Sequence, residues 1–374
     1  MSEPGYPAAR AAAAILVRYF ERQLRDRPAA ATPPPDADAI ETIIDAAFWA
    51  SLRREEGFAP KISLAFLRPE HTRTPLRFER HLTLAPAGLA KLAPAVERPG
   101  IHLGVWAEGD ELRVWGTTRD VPLFCFVLEV AEPGLLVVKH RRTESGKFVN
   151  VLVLQGDSLK VVDEGASNLP DCPSLLLSLL GFRQGRSASD DFDVLVELAV
   201  SMRAHGRGGS LLVVPAGSEP WRESILQPVA YAVTPPFNEL ASLLNTRPAD
   251  GPLHDWHEAI DRAVETIAGL TAVDGATVIS DRCELLAFGA KIGRRQGWTR
   301  VQELIVTEPI EGSTPETAHP AELGGTRHLS AAQFVQDQRD CLALVASQDG
   351  RFTIFAWSPC ENMVHAHRVE SLLL

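Results

Sequence analysis

Apolar positions along the chain change their spacing three times. Over residues 8–27 they recur at helical intervals, with Ile15, Leu16, Tyr19, Phe20 and Leu24 among many alanines, which predicts an amphipathic helix. The proline-rich run "RPAAATPPPDAD" cannot continue a helix and breaks it. A second helix is predicted at about 38–54, where Ile40, Ile43, Ile44, Ala47 and Phe48 share a face. From about 76 to 165 the texture becomes β-branched and aromatic. Three strand–turn–strand units follow one another there, turning at Glu108-Gly109-Asp110, Glu132-Pro133-Gly134 and Gln155-Gly156-Asp157. The expectation is an α+β unit, rich in β-hairpins: two helices, then an antiparallel sheet.

A short apolar helix in "NLPDCPSLLLSLL" and a connector in "GFRQGRSASDDF" mark a boundary, drawn between 1–184 and 185–374. Beyond it the helical face Val194, Leu195, Leu198, Ala199 and Met202 runs through "HGRGG" into the strand "SLLVVP". A helix at 255–269 precedes a strand pair that turns at Asp281-Arg282. A charged stretch, the strand "VQELIV" and a Pro/Thr/Glu-rich loop lead to "GGTRHLSAA". A helix over "SAAQFVQDQRD" and a hairpin turning at Gln348-Asp349-Gly350 close the chain. The order α-β-α-β-β-β-α-β-β predicts an α/β domain: a mixed sheet flanked by helices.

With 374 residues, two domains are expected; 45% hydrophobic and 23% charged residues are ordinary for a packed chain. No apolar run reaches the roughly 18–20 residues of a bilayer span, and the N-terminus reads as no signal peptide. Five cysteines without a CxxC pair fit reduced thiols, so the expected compartment is the cytoplasm. The net charge of −11 and the lack of a basic block make nucleic acid and anionic membrane unexpected partners.

Two clusters carry candidate chemistry. In Asp274-Gly275-Ala276 a carboxylate stands at a strand mouth beside a glycine that admits close approach; a turn-forming Asp is the plain alternative. In Gly324-Gly325-Thr326-Arg327-His328, free backbone N–H groups, a hydroxyl and a planar guanidinium precede a helix, which suits a phosphate; a solvated helix cap is the plain alternative. The Cys360, His365 and His367 spacing is not that of a structural zinc site, and alternating histidines suit one strand face. His254 and His257 lack a third ligand nearby. Trp106 and Trp115 read as sheet packing, with ligand stacking as the alternative.

Taken together and in this order, "DGA" at 274–276 and "GTRHL" at 325–329 give residues 188–374 a resemblance to the diadenylate cyclase catalytic domain. "GRGGSLLVVP" and "DCLALVASQDGRFTIF" resemble that domain's first strand and last hairpin. The first half resembles the variable sensor regions attached to such domains, of the kind called DACNV. The resemblance implies condensation of two ATP into cyclic di-AMP and two pyrophosphates by protomers paired face to face as a homo-oligomer. It implies that Asp274 helps hold Mg²⁺ or Mn²⁺ and activates the 3′-hydroxyl. Gly275, Ala276 and Gly325 would lie at the nucleotide, Thr326, Arg327 and His328 on the phosphates, and Ser347 near the triphosphate. Departures from the family pattern are Leu329 for a second arginine, Gln348 for an acid, and Ala272-Val273 for Leu-His. Arg294, Arg295 or Arg351 could replace the lost guanidinium. An inactive receptor for an adenine nucleotide or cyclic dinucleotide is the alternative function, and a scaffold the third.

Overall fold

The computed structural model describes residues 5–25, 32–142, 148–165, 171, 173–180, 194–246 and 254–374. The chain divides into two compact units, Met1–Val162 with Leu374, and Asp163–Leu373. The connector expected around 184, and with it Cys172, lies outside the described residues.

In the first unit, helices α1 (Pro7–Arg25) and α2 (Ala37–Ser51) form where the apolar spacing places them. Asp36 caps α2, its carboxylate accepting from the Ala39 amide at 2.9 Å, as a helix start demands. Next come β1 (Ile62–Phe66), β2 (Leu76–Thr83), α3 (Pro86–Val96), β3 (His102–Glu108), β4 (Glu111–Thr118), β5 (Val127–Glu132), β6 (Leu135–Arg141), β7 (Phe148–Gln155) and β8 (Ser158–Val161). The sheet order is β2-β4-β3-β1-β5-β6-β7-β8. The three turns close the hairpins β3–β4, β5–β6 and β7–β8.

The sheet is mixed rather than antiparallel, because β1 pairs β3 in parallel, Leu64 opposite Leu103. A parallel neighbour needs a crossover, and β2 with α3 supplies it. Helix α3 is a further correction to the expected two helices. Proline begins it and recurs at Pro94, which masks the apolar spacing of Leu89, Ala93 and Val96. The helices bury one face of the sheet: Leu16, Phe20, Ile40, Ile44 and Leu89 share a core with Ile62, Leu64, Leu103, Phe126 and Leu152. Alternation turns Ala65, Leu67, Trp115 and Val127 to the other face, where they form a second cluster. Trp115 lies against Gly104, where a Cβ would meet the indole at 2.0 Å.

The second unit contains α4 (Ser174–Leu179), α5 (Val194–Ala204), β9 (Gly209–Val214), β10 (Tyr231–Phe237), α6 (Glu239–Asn245), α7 (His254–Thr271), β11 (Ala276–Ser280), β12 (Leu285–Ala290), β13 (Leu304–Thr307), β14 (Glu316–Ala318), α8 (Pro320–Leu323), α9 (Thr326–Asp337), β15 (Leu342–Ala346), β16 (Phe352–Ser358) and β17 (Met363–Arg368). The sheet, β10-β12-β11-β9-β15-β16-β17-β13-β14, is mixed, as the α/β pattern predicts. Leu212 and Val214 pack with Ala331, Phe334 and Val335 of α9. Their buried neighbours Leu211 and Val213 face the opposite side, which α5 and α7 cover. Among the described residues no helix is long and apolar enough to cross a membrane.

Two buried histidines tie stability to pH. His102 bonds Ser63 Oγ through Nδ1 at 2.7 Å, and burial, aided by Lys139 and Arg141, pulls its pKa down to about 4. His367 bonds Thr307 Oγ1 at 2.7 Å, and burial, then His365, pulls it down to about 3. Both are held neutral when folded, so their contribution is complete above the unfolded value near 6.5 and is lost as pH falls toward 4 and 3. The cost is then on the order of 3 kcal/mol for His102 and 5 kcal/mol for His367. Calorimetric melting between pH 7.5 and 4 should show the midpoint holding to about 6.5 and dropping below it; a flat profile to pH 4.5 would contradict this.

Candidate functional site

Strand directions in the second unit decide which loops meet. β9 and β11 run parallel, with Leu211 opposite Thr277, so Gly208 and Asp274-Gly275 precede them at one sheet edge. β15 runs against β9, with Ala346 opposite Gly209, and delivers Ser347 there. β12 runs against β11, with Ala290 opposite Ala276, and delivers Lys291. β16 begins there after Arg351, since Phe352 pairs Ala346, and β17 ends there at Arg368, opposite Thr353.

Helix α9 brings its first turn to the same edge. Thr326, Arg327 and His328 are the first residues of the helix, not a loop before it. Gly325 is the N-cap, and no side chain caps the turn; the His328 amide donates to the Gly325 carbonyl at 3.1 Å, which leaves the Thr326 and Arg327 amides ahead of it to face an anion. The half-buried Arg327 guanidinium lies over Gly208: a Cβ there would stand 3.1 Å from Nη1 and 3.3 Å from the Ala346 carbonyl.

Asp274 is exposed and paired with the Lys291 ammonium. The Lys291 hydrogen bond and charge, followed by the charge of Arg327, hold its carboxyl below the usual carboxylate range. Asp274 and Arg327, 53 positions apart, therefore act on one another at one edge. Asp349 stands two residues past Ser347, in the turn after β15. A hydrogen bond from Ser347 is the main reason its carboxyl is lowered, with Arg351 adding charge at 3.3 Å. The loop from Ser347 closes through its amide bond to the Arg351 carbonyl at 2.9 Å.

His328 is placed differently from its neighbours. Its ring is 3% exposed, packed edge-on to Phe355 at 6.0 Å and 3.4 Å from Thr353 Oγ1. Gly324 allows this position, since a Cβ there would meet Nδ1 at 2.5 Å. Burial lowers its pKa, with Asp349 acting in the opposite sense. His328 thus sits beneath the first turn of α9, while Arg327 faces the strand ends. Leu329 joins the apolar cluster under α9, so no cation stands at that position. Of the three arginines that could take its place, Arg295 binds Glu223 and, through its amide, Asp337 at the far end of α9, where Arg294 also acts. Arg351 is at the near end.

Gly275 has a reason independent of any ligand. Its φ is +116°, and a Cβ would stand 2.5 Å from the Gly289 carbonyl carbon. Gly289 in turn lies under the Tyr231 ring, which stacks on Phe288 at 4.6 Å and is half exposed. Sequence patterning does not single out Tyr231 or Lys291. Tyr231 opens a strand containing Pro235 and Pro236, and Lys291 only follows the second strand of the expected pair, so each acquires its place only through strand pairing.

The donors available to a divalent ion at this edge are few. Among the described residues no three His, Cys, Asp or Glu side chains gather as a cage. One exposed carboxylate, Asp274, fits a hard cation that takes its other ligands from phosphate oxygens and water. His365 and His367 lie buried along β17, and Cys360 is exposed beyond β16.

Residues 29–119, all within the first unit, match the family model described as a probable sensor domain, DACNV. No curated protein matches the chain.

Two glycine substitutions separate backbone demand from mere presence. Gly275→Ala should cost more than about 2 kcal/mol, because the clash is with backbone at a positive φ. Gly269→Ala, in α7 with no atom within 4 Å, should be neutral or stabilise by up to about 1 kcal/mol. Chemical denaturation of both variants checks this, and equal midpoints would refute the reading of Gly275.

Proposed function

We propose that Asp163–Leu373 is a diadenylate-cyclase-like unit that holds ATP at the sheet edge described above, under the control of the sensor domain in the first unit. The observation that carries this reading is the meeting of Asp274, Lys291, Arg327 and Ser347 beside an uncapped helix start. A triphosphate supplies the negative charge that such a set of donors lacks.

In the reaction, the 3′-hydroxyl oxygen of each ATP bonds to the α-phosphorus of the other, and the bond to the leaving pyrophosphate breaks. Two such events give one cyclic di-AMP and two pyrophosphates, with the hydroxyl protons passing to water. This requires two units facing each other, each with one ATP. Arg327 and the α9 amides bind phosphate oxygens and meet the charge that grows on them. Thr326 donates its hydroxyl, and Ser347 would donate its own on leaving Asp349. Asp274, kept ionised by its neighbours, accepts from the 3′-hydroxyl and orients it. His328 fixes the first turn of α9 from below, a positioning role. Asp274 would also hold Mg²⁺ or Mn²⁺, which supplies charge neutralisation on the phosphates when bound. Lys291, released from Asp274, would follow to a phosphate oxygen. Tyr231 offers a face on which adenine can stack.

Leu329 favours a second reading. An apolar side chain packed under α9 removes one cation from the charge-developing centre, which at a catalytic site costs on the order of 10²-fold or more. The same edge would then serve as a receptor for ATP or a cyclic dinucleotide.

Incubation of the full-length protein with ATP and Mn²⁺ or Mg²⁺, read by mass spectrometry, tests both. The first reading expects cyclic di-AMP, reduced 10²-fold or more in Asp274→Asn and in Arg327→Gln. Absence of product with saturable nucleotide binding that Arg327→Gln abolishes selects the receptor. Neither product nor binding sinks both.

A further inference from the structure

The first unit has a shallow, largely open surface hollow of about 310 Å³. It lies between the end of β1, the edge strand β2 and the β3–β4 hairpin, and every residue that lines it falls inside the segment matched as a sensor domain.

The half-buried Trp106 ring lines the cavity and is backed by Phe66, the ring centroids 4.5 Å apart. The Arg68 guanidinium lies over that indole, 4.9 Å from its centroid. The two carboxylates at the cavity each already have a bonded partner. Glu70 accepts from Arg77 at 3.1 Å, and Glu108 is bonded to His81. Arg68 is the exception, for among the described residues no carboxylate pairs with it. β2 is irregular here, its register against β4 shifting between Arg77 and Leu82, which opens the wall between those two side-chain pairs.

The balance of charge selects the ligand. A cationic ligand would have to displace Arg68 from the ring face it already occupies, or compete with Arg77 or His81 for a carboxylate that is already bonded. An anion needs neither. It completes Arg68, whose guanidinium the indole holds in place, and a planar group attached to it covers apolar surface of the Trp106 ring. The geometry points to this cavity as the stimulus site of the sensor domain, taking a small organic anion that carries a planar ring, with Arg68 as anion partner and Trp106 as the surface for the ring. Trp106 is thus more than sheet packing, and Trp115, buried and donating through Nε1 to the Leu67 carbonyl at 2.7 Å, is the fixed floor.

Calorimetric titration of the full-length protein with four probes tests this: indole-3-acetate and benzoate as ring anions, tryptamine as the same indole with a positive charge, and acetate as the anion without a ring. The expected result is saturable binding of at least one ring anion, one per chain, with tryptamine and acetate tenfold weaker or more. Arg68→Gln, a change at an exposed side chain, should weaken the ring anion at least tenfold with an unchanged melting temperature. Trp106→Leu should also weaken it. Arg327→Gln, which disables the nucleotide edge of the second unit, should leave this binding untouched, so the two sites fail separately. Three results would overturn the assignment: no saturable binding of either ring anion, equal affinity in Arg68→Gln, or preference for tryptamine.

Discussion

The arrangement of β11, β9 and β15 is the constraint on which the second unit depends. β9 is parallel to one neighbour and antiparallel to the other. That single fact sends the start of β9, the start of β11 and the end of β15 to one edge. The start of α9 arrives at the same edge because its apolar face must lie across β9, β15, β16 and β17. Carboxylate, ammonium, guanidinium and hydroxyl meet as a consequence of strand direction and helix packing. A charged ligand would be held there by the ends of elements whose middles are rigid core, which is how a fold fixes donors accurately.

The two units solve the same packing problem in different ways. In the first, three helices cover one sheet face, and a smaller cluster around Trp115 and Val127 closes part of the other. In the second, α9 covers one face and α5 with α7 the other. The sensor match belongs to the first unit alone, and its cavity lies beside the edge strand β2, where the register against β4 shifts. Regular strands bury their side chains on both faces; an edge with a shifted register leaves room beside them.

Much of this architecture is legible in the sequence. The helical faces of α1 and α2 and the three Gly/Asp/Pro turns specify their elements through local chemistry alone. What escapes is whatever depends on pairing partners far along the chain. β1 is a short apolar run whose parallel partner is about forty residues away, and α3 is disguised by Pro86 and Pro94. At the candidate edge, Asp274 and Arg327 stand out as letters, and their mutual influence is a tertiary fact. His328 looks equivalent to Arg327 in sequence, yet adjacent residues at a helix start point in directions about 100° apart, and one goes inward. Lys291 and Tyr231 carry no local signal at all.

Gly275 sits where two backbones cross too closely for any side chain. A lineage that lost all affinity for nucleotides would still be obliged to keep that glycine, because the sheet itself would not close otherwise. Its survival therefore says nothing about ancestry of activity. The informative letters are those that folding does not require: an exposed carboxylate at 274 and a half-exposed guanidinium at 327, which drift would be free to erase.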